Sequence, residues 1–205
     1  TPGHSSAASD VYKRQLLERV KEIAKGAALM TQTKVKTKIL AGVSNLLYNE
    51  TLGNIMQGNL DQLGAPEFSK EDHLYAKKYQ DTLTRKDIES AYSHAGIDLV
   101  EGQVLAETVV AGDVKPVDMG GSTDVADVSW VVPTVSLWGA NYAIGTPFHS
   151  WQMTAQGKSS IAIKGMTHAA MVMAATGSDL MSIKTILDDA WSEHKKTVEK
   201  EGYML

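Results

Sequence analysis

The most chemically informative residue of this 205-residue chain is a histidine in the stretch GTPFHSWQ (145–152). His149 follows a Gly-Thr-Pro turn and precedes the strand-like segment SWQMTAQ. Loops at the ends of strands often carry metal ligands and catalytic groups. An imidazole at such a place can ligate zinc or manganese through one ring nitrogen, while an acceptor holds the other. A histidine with a purely structural hydrogen bond is the alternative interpretation.

A second polar stretch, GGSTDVADVSW (120–130), lies before another strand-like segment and combines hydroxyl groups with two acids. Its carboxylates can orient a substrate or accept a hydrogen bond from a metal-binding histidine. Ordinary turn chemistry is the alternative, because aspartate readily caps turns and helices. The polar candidates of this stretch are Ser122, Thr123, Asp124 and Asp127.

The remaining histidines give weaker signals. His168 lies on an apolar helix, where a packed histidine is favoured over one that lines a cleft. His73, His94 and His194 lie on polar helices and are interpreted as solvated, and His4 belongs to the polar N-terminal segment.

Three tryptophans lie around the two candidate stretches, at positions 130, 138 and 151. Aromatic residues of this kind are more often core residues than ligand contacts. They are also what a simple binding module would need, so that function class stays open.

Composition excludes several function classes. The net charge of −4 gives no support for a nucleic-acid partner, and no apolar run approaches the ~20 residues that span a membrane. The chain contains no cysteine, which is compatible with a cytoplasmic protein. Any metal ligands must therefore be His, Asp or Glu. Phosphate-binding, dinucleotide-binding, HExxH and GxSxG motifs are absent.

Periodicity and capping signals predict helices alternating with strands. A capping box at Ser69 and another at Thr84 each predict the start of a polar helix. The alternation in TKVKTKILAGV predicts a half-exposed strand, and VSWVVPTVSLW (128–138) is also strand-like. Further helices are expected over residues 14–30, 50–63, 160–176 and 179–198, the third of them ending at Gly177.

Five segments, in this order and spacing, resemble the C-terminal half of the dinuclear metal aminoacylase and carboxypeptidase family. The resemblance extends from Leu16 to the C-terminus, so it does not depend on a single motif. The segments are ERVKEIAKGAALMTQTKV, SNLLYNETLGNIMQGNL, GGSTDVADVSWVVPT, GTPFHSWQMTAQGKSSIAIKGM and AATGSDLM.

This resemblance implies an α/β fold. The chain would be the second half of a zinc-exopeptidase-like catalytic domain, with a mixed sheet and flanking helices. The last helix and strand of an α+β lid and dimerisation domain would precede it. We therefore expect a disordered leader over residues 1–13, a lid remnant over 14–44 and the catalytic part over 45–205.

The resemblance also implies a metal-dependent amidohydrolase that cleaves an amide bond next to a free carboxylate, as in an N-acyl amino acid. Family members bind two divalent metals, manganese or zinc, and use a glutamate as general base. His149 matches the late metal ligand of the family, and Ser122, Thr123 and Asp124 occupy the place of a loop that lines the cleft. The implied partners are a small-molecule amide substrate and other subunits, in a homo- or hetero-oligomer.

The other metal ligands and the general base of the family match positions upstream of residue 1. The resemblance therefore predicts a C-terminal fragment that is inactive alone. The alternative is a non-catalytic or truncated partner subunit that acts through oligomerisation. In either case we expect exposed apolar surface and self-association.

Overall fold

The structure is a computed structural model that describes residues 6–112 and 123–201. Within these ranges it contains eight helices and no strand. The helices are α1 (Ser6–Met30), α2 (Glu50–Leu63), α3 (Lys70–Gln80), α4 (Arg85–Ala95), α5 (Val125–Ser129), α6 (Trp151–Gln156), α7 (Ser160–Ser182) and α8 (Lys184–Glu201). None of them is long and apolar enough to cross a membrane.

The expected α/β fold with a mixed sheet is therefore wrong for the described residues. A strand needs a neighbouring strand to bond its backbone groups, and alternation of side chains alone does not provide one. Residues 34–39 have the expected alternation but form no strand, and Val35 and Ile39 on their apolar side are exposed. The segment 128–138 begins inside α5, and the segment after His149 is helix α6, started by the N-cap Ser150.

Helix α1 begins at Ser6, so residues 6–13 are helical where the sequence predicts a disordered leader. The predicted boundary between lid remnant and catalytic part, at residues 44 and 45, stays a prediction. Contacts divide the chain into two compact units. The first comprises the described parts of Thr1–Asn49, Ser122–Thr134 and Trp191–Leu205, and the second those of Glu50–Gly121 and Val135–Ala190.

In the first unit, the short helix α5 holds the irregular segment 44–47. The Leu47 amide donates to the Ser129 hydroxyl (2.9 Å), and the Trp130 indole donates to the Asn45 carbonyl (2.8 Å). Ser129 and Trp130 are both buried. Because buried backbone groups need partners, these bonds allow the segment to lie against α5 without strand pairing.

The second unit has a core of small and aliphatic side chains with aromatic residues packed around it. Its buried members are Ala76, Val104, Leu105, Ala143 and Ile161, and Phe68, Tyr75 and Tyr79 pack against them. Helix α7 contributes Ile161 and also packs along α2. Gly165 permits a close approach, since a Cβ there would collide with the Ala140 carbonyl oxygen.

Helix α7 runs through Gly177 to Ser182, so the predicted stop at Gly177 is wrong. The Asp179 carboxylate accepts a hydrogen bond from the Asn59 amide of α2 (2.7 Å). The Ile183 amide then bonds the Asp179 carbonyl (2.8 Å). Packing on α2 therefore outweighs the weak helix propensity of one glycine.

Two capping boxes begin α3 and α4, as the sequence predicts. At α3 the Ser69 hydroxyl accepts from the Asp72 amide, and the Asp72 carboxylate accepts from the Ser69 amide (2.8 Å). Thr84 and Asp87 make the same reciprocal pair at α4. The two boxes differ in burial, because Asp72 is buried and Asp87 is exposed.

Asp72 also forms an ion pair with Lys164 of α7 (2.7 Å). Burial by itself raises the pKa of Asp72, but hydrogen bonds from the Lys164 ammonium and the Ser69 amide outweigh it. The pKa of Asp72 falls to about 2. A lowered folded-state pKa stabilises the fold above the unfolded value near 4, and this contribution is lost as pH falls towards 2.

We predict that Asp72→Asn lowers the free energy of unfolding by about 2 kcal/mol at neutral pH, since the shift is nearly two pKa units. Urea unfolding followed by circular dichroism measures the loss. The difference between the wild-type chain and the variant should shrink between pH 4 and pH 3.

Asp87→Asn is the matched control, because it alters the same cap position without a cationic partner from another helix. It should cause the smaller loss at neutral pH. Equal losses for the two variants would show that the ion pair with Lys164 contributes nothing beyond the cap.

Candidate functional site

The turn that carries His149 is held in place by a buried glutamine of α6. Gln156 is 1% exposed. Its Oε1 accepts from the Ala143 amide (2.8 Å), and its Nε2 donates to the Thr146 hydroxyl (3.1 Å). The Thr146 hydroxyl in turn donates to the Ala143 carbonyl (2.7 Å). These three bonds fix the start of the turn from within the core.

The rest of the turn is fixed by one glycine and one cap. Gly145 has φ +90°, and a Cβ there would lie 3.0 Å from the Ile88 Cα, so only glycine fits without displacement. At the other end, the Ser150 hydroxyl donates to the Pro147 carbonyl (2.7 Å) and accepts from the Met153 amide (3.2 Å). The turn is therefore anchored on both sides of His149.

His149 itself has a left-handed backbone with φ 59°, one of two such non-glycine residues in the described chain. A conformation of this kind costs on the order of 1 kcal/mol and is concentrated at functional sites. The side chain is exposed, and the ring makes no hydrogen bond to any described residue. Both ring nitrogens are thus free for a ligand, which argues against the structural interpretation of this histidine.

Aromatic side chains lie on both sides of His149. The Phe148 ring contacts Trp138 (5.8 Å between centroids) and Tyr142 (6.2 Å), and burial raises the pKa of Tyr142. Trp151 contacts Tyr79 on the other side (6.2 Å).

The interpretation of the tryptophans as core residues is right for Trp130, which is buried. It is wrong for Trp138 and Trp151, which are 68% and 62% exposed. Large aromatic residues that remain exposed beside a strained histidine are typical of a binding surface.

The GGSTDVADVSW stretch behaves mainly as the turn-chemistry alternative predicts. Thr123 accepts from the Val125 amide (3.3 Å). Asp127 accepts from the Ser44 amide (3.0 Å) and so holds the segment 44–47. Asp124 is exposed at the N-cap of α5 without a capping bond, and Ser122 lies outside the described residues.

The three described residues of this stretch, Thr123, Asp124 and Asp127, belong to the first unit, whereas His149 belongs to the second. The structure does not join them into one site within either unit. Their assignment to the substrate pocket therefore stays a prediction.

Two of the other histidines are structural. His194, interpreted as solvated from the sequence, is buried instead, and its Nε2–H donates to the Ser129 carbonyl (2.9 Å). Its helix is polar overall, but Trp191 covers the imidazole edge to face at 5.6 Å. His168 donates to the Gly64 carbonyl after α2 (2.6 Å), as expected for a packed histidine.

His73 is half-exposed and ion-paired rather than simply solvated. One ring nitrogen donates to the Ser69 carbonyl (2.8 Å), and the other lies 3.0 Å from the Glu107 carboxylate. Both contacts favour the protonated ring, so the pKa of His73 is raised, chiefly by the Ser69 carbonyl. His94 remains exposed and makes only a long contact with Ser90 (3.4 Å).

The described residues do not form the two-metal site that the resemblance implies. Across residues 6–112 and 123–201, no three His, Asp or Glu side chains cluster closely enough to hold a metal ion. His149 suits the role of one ligand, since its imidazole is exposed and has no protein partner. A site with two metals needs several more ligands.

Sequence reasoning missed three residues of this region. Gln156 belongs to no sequence motif, and its hydrogen bonds to the turn depend on how α6 packs against that turn. Tyr75 and Tyr79 lie four residues apart on α3, a spacing that places two side chains on one helix face and so was a usable signal.

Comparison with known proteins agrees with the resemblance of the five segments. The chain is 38% identical over 200 residues to the B subunit of p-aminobenzoyl-glutamate hydrolase from Escherichia coli strain K12. The match covers 93% of this chain and 42% of that relative, so the chain spans about two fifths of its relative's length. No family model and no solved structure matches the chain.

The comparison therefore supports the relationship of this chain to the B subunit of the hydrolase. The extent of the match is also consistent with the C-terminal half. The chain is therefore a relative of the p-aminobenzoyl-glutamate hydrolase B subunit.

Proposed function

We propose that this chain is part of a metal-dependent amidohydrolase that cleaves p-aminobenzoyl-glutamate or a similar N-acyl amino acid. The observation that carries the proposal is His149, exposed and strained on a turn that the core holds rigidly. The relationship to one subunit of a hydrolase supplies the reaction class. Hydrolysis would split the amide between the aromatic acyl group and the glutamate nitrogen.

In this proposal the chain contributes the His149 imidazole as one metal ligand and the adjoining aromatic surface as a substrate contact. A bound manganese or zinc supplies Lewis-acid chemistry for amide hydrolysis. The fixed turn holds the His149 ring in one place, which a ligand in a preorganised site requires. The remaining ligands and the general base do not cluster among the described residues.

We predict that the chain binds zinc or manganese weakly through His149, and that His149→Ala abolishes this binding. Isothermal titration calorimetry of the metal alone measures it. His94→Ala is the matched control, because His94 is also exposed but has an ordinary helical backbone. The control should bind metal as the wild-type chain does.

The same variants test hydrolysis, followed by release of p-aminobenzoate from p-aminobenzoyl-glutamate. Any turnover by a preparation that contains this chain should fall at least ~100-fold in His149→Ala, as when a metal ligand is lost. Metal binding and turnover that survive this substitution would contradict the proposal.

A second candidate function, a non-catalytic partner that acts through oligomerisation, is favoured by the surface of α1. Val20 and Ile23 are 58% and 69% exposed and lie three residues apart on the same helix face. Leu29 and Met30 at the end of the helix are also exposed. An apolar strip of this kind is typical of an interface.

We predict that the chain self-associates and that Ile23→Glu raises the dissociation constant at least ~10-fold, because burial of an isoleucine stabilises an interface by about 2 kcal/mol. Sedimentation equilibrium measures the change. Arg14→Gln is the control, since it lowers the net charge by the same single unit at another exposed position. A wild-type chain that is monomeric at all concentrations would exclude this candidate function.

A further inference from the structure

A small aromatic pocket lies next to the His149 turn, in the second unit. It has a volume of about 300 Å³, at the lower end of the range for ligand sites. Its lining combines three aromatic side chains with one lysine and one threonine: Tyr75, Lys78, Tyr79, Thr82 and Trp151.

The rings of the pocket are ordered by contacts with each other and with α6. Tyr75 and Tyr79 are 5.0 Å apart between centroids, and their hydroxyl oxygens are 3.2 Å apart. The Tyr75 hydroxyl also bonds the Ala155 carbonyl (3.3 Å). The hydrogen bond with Tyr79, followed by burial, raises the pKa of Tyr75 to about 12, so its hydroxyl stays neutral. The tyrosine wall of the pocket is therefore preformed.

The second wall is the exposed Trp151 ring, which is tilted by 48° relative to Tyr79. Its helix is tied to the loop after α3 by a hydrogen bond from the Gln152 amide to the Thr82 hydroxyl (3.3 Å). A planar ring that lies against the open faces of the tryptophan and the tyrosines gains offset or edge-to-face contacts. Trp151 is 62% exposed, so one face of its ring is open to a ligand.

The pocket has one cation that no acid neutralises. Lys77 forms an ion pair with Asp81, whereas Lys78 forms none with any residue in the described ranges. Lys78 is exposed, so its ammonium can reach an anionic group at the mouth of the pocket. The pocket thus offers aromatic contact and positive charge together.

The pocket is also close to the proposed metal ligand. Trp151 follows His149 by two residues, so their Cα atoms are at most ~7.6 Å apart. That distance suits a substrate whose scissile bond lies near His149 while its aromatic group lies on Trp151.

We propose that this pocket positions the substrate, with the aromatic acyl ring against the open faces of Trp151 and Tyr79 and a free carboxylate on Lys78. The inference rests on the proposed function and adds a specificity site to it. The ligand class is an aromatic acyl-amino acid. An aliphatic acyl-amino acid would lose the ring contacts, and an uncharged aromatic amide would lose the contact with Lys78.

Binding of three probes to the whole chain tests the pocket by isothermal titration calorimetry. The probes are p-aminobenzoyl-glutamate, N-acetylglutamate without the ring, and p-aminobenzamide without the carboxylates. We expect Trp151→Ala to weaken the binding of the two ring-bearing probes roughly 5- to 20-fold and to leave the binding of N-acetylglutamate unchanged. Lys78→Met should weaken the binding of the two carboxylate-bearing probes a few-fold and leave the binding of p-aminobenzamide unchanged.

Two control variants match these substitutions. Tyr48→Ala removes a similarly exposed aromatic side chain (68%) outside the pocket, and Lys77→Met removes the neighbouring lysine that is already paired. Both should bind all three probes as the wild-type chain does. Circular dichroism checks that each variant is folded. We expect all four to fold, because the substituted side chains are exposed.

Two results would overturn the inference, and they are distinguishable from each other. If Trp151→Ala and Lys78→Met bind the probes like the controls while hydrolysis still depends on His149, the assignment of the pocket to substrate binding is wrong. The proposed function then stands. If hydrolysis does not depend on His149, the proposed function fails, and the assignment of the pocket to substrate fails with it.

Discussion

The buried side chain of Gln156 is the constraint on which the candidate site depends. Its amide bonds the Ala143 N–H and the Thr146 hydroxyl, so α6 and the preceding turn form one hydrogen-bonded piece. A buried amide destabilises the fold when it is unpaired, and it specifies one local arrangement when all its groups are hydrogen-bonded. Here that specificity determines where the turn starts, and the Ser150 cap determines where it ends. His149 lies between these two fixed points, which explains how an exposed histidine can keep a left-handed backbone.

The same turn connects the proposed chemistry to the proposed specificity. Trp151 is the first residue of α6, and Gln156 is the last, so the helix carries the pocket wall at one end and the anchor at the other. Tyr79 and Lys78 come from α3, whose position relative to α7 is fixed by the Asp72–Lys164 ion pair. A short helix and one ion pair therefore align the histidine, the rings and the cation within the second unit.

Local signals in the sequence predicted several of the longer helices, whereas the short helices α5 and α6 and the non-local features were missed. The starts of α3 and α4 are encoded by four-residue capping boxes, which need no information from elsewhere in the chain. The prediction of strands at 34–39 and 128–138 was wrong because side-chain alternation cannot show whether a partner strand exists. Likewise, the predicted end of a helix at Gly177 was wrong because the local sequence does not show that α7 packs on α2. His149 was recognisable from its turn, but its strain, the burial of Gln156 and the exposure of Trp151 all depend on tertiary contacts.

Amide hydrogen exchange at Ala143, compared between the wild-type chain and Gln156→Leu, tests most directly whether Gln156 fixes the turn. Leucine has a similar volume but cannot accept from the Ala143 N–H. We expect strong protection of this amide in the wild-type chain and its loss in the variant, together with faster exchange over residues 143–150 and unchanged protection in α7. Protection of Ala143 that survives the substitution would contradict the account, because the turn would then be held by something other than Gln156.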